Sequence, residues 1–195
     1  MDAIGPTDGL SCLALGIALA ACAGIRAWLP LLLAGILSRA ELLHLGDSFR
    51  FLGSNKALAL FAVATLVEIL GDKIPAVDHA LDALGTLLRP AAGSLLAASV
   101  MWKVSDPLTA LALGTAVGAP SALVPHAAKS VLRAASTTLT AGLANPLLSF
   151  LEDALTVALF ALAILVPLLV AATTAILAFL VLRRLQRRRV SVPAA

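Results

Sequence analysis

The stretch ALTVALFALAILVPLLVAATTAILAFLVL, from Ala154 to Leu182, contains no Asp, Glu, Lys, Arg or His. About 20 apolar residues suffice for a helix to cross the roughly 30 Å hydrocarbon core of a bilayer, so this run predicts helix lying in lipid. The chain around it has the same character: of 195 residues, 61% are apolar and only 13% charged, with a mean hydropathy of +1.02. A soluble domain of this length has too little interior for so much apolar side chain, and the surplus must face lipid. Barrel strands alternate apolar and polar residues, whereas these segments are apolar in continuous runs. The expected fold class is all-α, a polytopic transmembrane helical bundle forming one integral membrane domain over residues 1–195.

Downstream of the run stand Arg183, Arg184, Arg187, Arg188 and Arg189, which account for the formal net charge of +3. Arginines clustered beside a span mark the cytoplasmic side and meet anionic lipid headgroups. A basic cytoplasmic tail over 185–195 is therefore expected. Nucleic acid is a poor partner for it, because no globular basic domain or aromatic platform accompanies the tail. No Lys or Arg precedes Arg26, so the charged start of a secretory signal is missing and Leu10 onward reads as mature structure. Cys12 and Cys22, ten residues apart on one predicted helix, stand about 15 Å apart along its axis, too far to pair; both read as core filling.

Upstream, helices are expected over Leu10–Ile25, Trp28–Leu43, Ala57–Gly71 and Ala76–Leu88, the last continuing past Arg89-Pro90 to Trp102, with Gly46–Lys56 as the longest loop. After Asp106-Pro107 the pattern starts again. Leu10-Ser11-Cys12-Leu13-Ala14-Leu15-Gly16-Ile17-Ala18 matches Leu108-Thr109-Ala110-Leu111-Ala112-Leu113-Gly114-Thr115-Ala116, and Leu66–Asp72 matches Leu147–Asp153. The reading is an internal repeat with halves at about 9–104 and 107–184, against chance similarity between Ala/Leu-rich segments. Four pieces per half would make the repeats parallel with both termini inside. Leu108–Ala119 is too short to span before Pro120 and Pro125, and the first helix breaks at Gly24–Pro30. Broken or re-entrant helices at matching places are expected, as in transporters that place a site near the midplane; ordinary short loops are the plainer alternative.

Charge at membrane depth costs about 2.5–3.5 kcal/mol at the centre of a span, so each charged residue among these helices requires a reason. Glu68 and Asp72 share a helix face, as do Asp78 and Asp82. Together they could gather a cation, or be solvated interfacial acids with Asp78 capping a helix and Lys73 forming a salt bridge. Lys129 and Arg133, also four apart, are expected to pair with Glu152, Asp153 or Glu68, either as a structural clamp or as a pathway. Arg26 and His126 both follow the first helix of a half; Arg26 would snorkel to an interface or hold an anion, and His126 would titrate near neutrality. The candidate pathway residues are thus Arg26, Glu68, Asp72, Lys73, His126, Lys129, Arg133, Glu152 and Asp153.

No phosphate-binding loop, dinucleotide fingerprint, zincin motif or Cys/His metal spacing is present in the sequence, and Ser136, Thr137, Thr138 and Thr140 lack a neighbouring base and read as hydrogen-bonding groups between helices or as cavity lining. No cofactor, metal site or enzymatic activity is expected. Three stretches, Gly24-Ile25-Arg26-Ala27-Trp28-Leu29-Pro30, Glu68-Ile69-Leu70-Gly71-Asp72-Lys73-Ile74-Pro75-Ala76-Val77-Asp78 and Ala141-Gly142-Leu143-Ala144-Asn145-Pro146-Leu147-Leu148-Ser149-Phe150-Leu151-Glu152-Asp153, resemble the bacterial membrane proteins grouped as domain-of-unknown-function family 4126. The resemblance implies a small polytopic membrane protein and carries no catalytic or ligand residues with it.

Two functions compete on this reading. One is a transport or channel-like protein, whose broken helices and intramembrane charges line a polar cavity reached by Glu68 and by one of Lys129, Glu152 or Asp153. The other is a membrane scaffold or lipid-interacting protein, in which the charges only set helix register; a second copy of the chain is a further expected partner.

Overall fold

The computed structural model describes residues 9–165 together with 173, 176, 177, 179, 180, 183 and 184, except for the side chains of 75, 76, 78 and 79. The tail over 185–195, and the side chain of Asp78, lie outside the described residues. Among the described residues the chain is all-helical: α1 (Gly9–Ile25), α2 (Trp28–Arg39), a 3-10 helix (Asp47–Gly53), α3 (Asn55–Gly71), α4 (Pro75–Ser99), α5 (Pro107–Thr140) and α6 (Asn145–Leu165). Two of these, α5 and α6, are long and apolar enough to cross a membrane, or three if the 3-10 helix and α3, bent by 57° at their junction, count as one span.

The break after α1 is real. At 17 and 12 residues, α1 and α2 are each shorter than a crossing requires, and Arg26-Ala27 separates them. The corresponding break in the second half does not occur: α5 runs unbroken for 34 residues through Pro120 and Pro125, correcting the half-helix expected over Leu108–Ala119. A proline removes one backbone donor and crowds the preceding turn, but a helix buried against neighbours tolerates this in a membrane. α4 likewise continues through Pro90. The internal repeat therefore lacks one of its expected correspondences, a helix break at the same place in each half.

Two further boundaries differ from expectation. Gly46–Lys56 holds the 3-10 helix, whose Phe49 and Leu52 are buried under the bundle end. The second helix stops at Arg39 and not at Leu43, because the chain turns left-handed at Glu41 (φ 59°). The Leu42 N–H then bonds the Leu37 carbonyl and the Glu41 N–H bonds Ser38, a Schellman ending in which Glu occupies the position glycine usually takes. At the other helix ends, Ser54 caps α3 through Ala57 N–H. Asp106 caps α5 through the Thr109 hydroxyl and N–H, which hold its carboxyl below the usual carboxylate range.

α1, α4 and α5 form the centre of the bundle, and they touch through small residues. A Cβ added at Gly118 would lie 2.4 Å from the Gly93 carbonyl oxygen, and one at Gly24 would lie 2.1 Å from the Ala122 oxygen. Backbones this close gain dispersion contacts that larger side chains would forbid, which is how helices associate where lipid tails are as apolar as leucine. Cys12 and Cys22 are buried in this packing, as expected of core-filling cysteines.

The distribution of residue types is inside-out relative to a water-soluble protein. Leu66, Leu70, Leu111, Val131, Leu151 and Leu165 face outward, while Arg26, Glu68, Asp72, Arg89, Lys129, Arg133 and Glu152 are buried. Water would reward the opposite arrangement.

Candidate functional site: a buried charge network

The ends of α1, α3 and α5, the first third of α4 and the start of α6 converge on one cluster of charge. Arg26, placed by the break between α1 and α2, is its hub and has no exposed surface. Its guanidinium donates to Asp72 Oδ2 and to the Ser149 carbonyl and hydroxyl oxygens at 3.1 and 2.9 Å. Asp153 Oδ1 lies 2.8 Å from its Nε. The interfacial snorkelling expected for Arg26 is thus wrong: a helix that stops inside the bundle leaves its next residue nowhere to reach but inward.

Arg133 binds Glu152 with a two-pronged contact, Nε to Oε1 at 3.0 Å and Nη2 to Oε2 at 2.7 Å, and its Nη2 also donates to Asp72 Oδ2 at 2.9 Å. This planar fork is what guanidinium offers and ammonium does not. Lys129, one turn earlier on α5, sits between three carboxylates: Glu152 at 3.0 Å, Asp72 at 3.5 Å and Asp82 at 3.9 Å. The expected pairing of the Lys129/Arg133 face with Glu152 is present, while Asp153 goes to Arg26 and Glu68 joins no ion pair among the described residues.

Glu68 has a different role. Its Oε1 accepts from Ala27 N–H at 3.1 Å and its Oε2 from Trp28 N–H at 3.3 Å. These are donors at the buried start of α2, which carries no side-chain cap of its own, so a carboxylate from α3 supplies what the break leaves unsatisfied. The cation-gathering acidic cluster expected from Glu68, Asp72, Asp78 and Asp82 is not what forms. Glu68 meets backbone N–H groups, Asp72 meets three cations, and Asp82 meets Arg89 at 3.3 Å. Lys73 turns back to the Ile69 carbonyl at 3.0 Å and covers the Phe150 ring at 4.5 Å.

His126 faces Arg89 through Nδ1 and Thr86 Oγ1 through Nε2 at 3.2 Å. Arginine can only donate, so Nδ1 accepts and the imidazole is neutral with its hydrogen on Nε2. Arg89, Thr86 and Ser149 were absent from the sequence-based candidates, and Asp82 was read only as part of the acidic cluster. The spacing 82, 86, 89 places three of them on one face of α4, a signal legible beforehand; Ser149 gives no comparable sign. Thr138 and Thr140 bond carbonyls four residues back on α5, and of the expected helix-to-helix hydroxyl bonds only Asn145 to Thr137, at 3.2 Å, is made among the described residues.

Beside the network, a cavity of about 340 Å³ opens between α1, α5 and α6. Its walls are mostly apolar, with Ile25, Leu132, Leu155 and Leu159 among them, and Lys129 and Glu152 are its two charged lining residues. The expected polar cavity reached by Glu68 is therefore replaced by an apolar one that two of the network's charges reach.

The family model described as a domain of unknown function (DUF4126) matches residues 13–187. No curated protein and no solved structure matches the chain.

Proposed function

The chain belongs to the DUF4126 family, a domain of unknown function, and from that premise we propose that it is a non-enzymatic, transport or channel-like protein of the bacterial inner membrane with a cytoplasmic C-terminus. The observation that carries this reading is the cavity whose lining includes Lys129 and Glu152, because it brings open space to an ion pair with alternative partners. Arg133 holds Glu152 with a fork, so the carboxylate stays in place. Lys129 has Asp72 and Asp82 within 4 Å and can move to them when a small ion or polar group takes its place at Glu152. Charged groups buried in spans serve such pathways more often than they serve stability.

The test is flux into vesicles holding the purified protein, under imposed gradients of H⁺, Na⁺ and K⁺. Wild type is expected to conduct at least one of them. Lys129→Gln and the cavity-filling Leu155→Trp are each expected to abolish the flux, the latter without altering any charge. If no gradient moves a solute, or if Leu155→Trp conducts as wild type does, the pathway reading is lost.

A second reading, a scaffold or lipid-interacting protein, is supported by Glu68 being spent on the backbone of α2 and by the apolar walls of the cavity. On this reading, Lys129→Gln lowers abundance and melting temperature and no solute moves. Under either reading the arginines from Arg183 onward hold anionic lipid, and a second copy of the chain is a partner.

A further inference from the structure

At the end of the bundle where α2 stops, a second and larger cavity of about 510 Å³ lies between the last turn of α2 and the 3-10 helix. Arg39, His44 and Arg50 line it with the hydroxyls of Ser38 and Ser54, against a single carboxylate, Glu41. The α2 carbonyls at this rim are taken, Ile36, Leu37 and Ser38 each accepting from the turn that follows, so the cavity presents cations and hydroxyls and few free acceptors. Arg39 is oriented by donating to Asn55 Oδ1 and keeps further N–H groups for another acceptor. Arg50 has only an exposed partner, Asp47 at 3.0 Å, a pairing weak enough for a phosphate to replace.

We propose that this cavity binds the phosphate of an anionic phospholipid headgroup. The phosphate chemistry follows from two arginines, a histidine and two hydroxyls around one space. The lipid source follows from position. The 3-10 helix bends by 57° from α3 and lies across the bundle end, and next to Arg50 it exposes Phe51 while α2 exposes Ile36. Apolar side chains beside arginines mark the level where acyl chains meet headgroups. Trp102, whose ring meets His44 edge-on at 5.2 Å, belongs to the same level. This proposal rests on none of the arginines at the C-terminal end and is independent of the pathway reading.

The experiment measures lipid retained by the purified full chain in native mass spectrometry, from micelles offered equal phosphatidylglycerol and phosphatidylcholine. Wild type is expected to retain phosphatidylglycerol in preference. Arg39→Gln with Arg50→Gln is expected to lower that retention roughly thirtyfold, at the contribution expected of two basic residues near a membrane surface; Lys56→Gln, a nearby cation outside the cavity, is expected to leave it unchanged. Glu41→Gln removes the one opposing carboxylate with little change of shape, and is expected to raise retention, which keeps the proposal testable should the double variant fail to fold. Equal retention of the two lipids by wild type, or no rise with Glu41→Gln, would overturn it. Displacement of the lipid by millimolar inorganic phosphate would overturn the lipid source and leave a free-anion site.

Discussion

At the scale of single residues, Arg26 and Glu68 illustrate how one chain break creates two different demands. Arg26 is a whole charge with no exposed surface, and its partners Asp72, Ser149 and Asp153 come from α3 and α6. Replacing it with Gln leaves Asp72 to Lys129 and Arg133 and takes from Asp153 its cation, and breaking a buried pair from one side costs about 3–5 kcal/mol. Arg26→Gln is thus expected to lower the melting temperature sharply in detergent, and Arg26→Lys to rescue little, since an ammonium cannot serve Asp72 and Ser149 together. Glu68→Gln keeps an acceptor for the start of α2 and loses mainly the charge–dipole contribution, about 1 kcal/mol. A melt in which Glu68→Gln is as damaging as Arg26→Gln would show that Glu68 carries more than a helix cap. The sequence marked both residues as demanding explanation; it could not say that one is a hub and the other a cap, because their partners are 40 to 127 positions away.

At the scale of elements, composition predicted helices well and proline breaks poorly. Pro75 and Pro107 open helices, as proline in a first turn does, and α4 continues through Pro90 as expected, whereas Pro120 and Pro125, expected to interrupt the chain, lie inside a helix that continues. What decides is the packing of α4 on α5. Gly93 and Gly118 meet there backbone to backbone, so Gly118→Ala sets a methyl carbon 2.4 Å from a carbonyl oxygen that cannot turn aside. The expected loss is about 1–3 kcal/mol, read as a lower melting temperature, while Gly9→Ala, with nothing within 4 Å, is expected to change little. Equal melts for the two would mean that the small-residue contact does not hold α4 and α5 together. The Gly residues were visible in the sequence, but which glycine faces which helix depends on rotations about helix axes that no local pattern specifies.

At the scale of the whole molecule, the helices place the 3-10 region and the α4–α5 connection at one end: Gly46 N–H bonds the Ser99 carbonyl at 2.8 Å and His44 meets Trp102. The α5–α6 turn, with Leu143 87% exposed, lies beyond the far end of a 34-residue helix. Single cysteines at Ser48 and Lys103 are accordingly expected to react with an impermeant thiol reagent from the same face of intact membranes, and one at Leu143 from the opposite face. The native Cys12 and Cys22 are buried and give little background. Labelling of all three from one side would refute this topology. What the amino-acid sequence established unaided was the solvent: runs of Leu, Val and Ala with charges too few and too regularly placed for water, hence helices, lipid and a set of charges needing partners. Apolar periodicity is a local property, read within one or two turns. Which charge meets which, that α5 stays whole, and that Lys129 and Glu152 line a cavity were decided only in three dimensions. Ion pairing and close packing depend on distances between segments remote in the chain, and those distances exist only once the helices have docked.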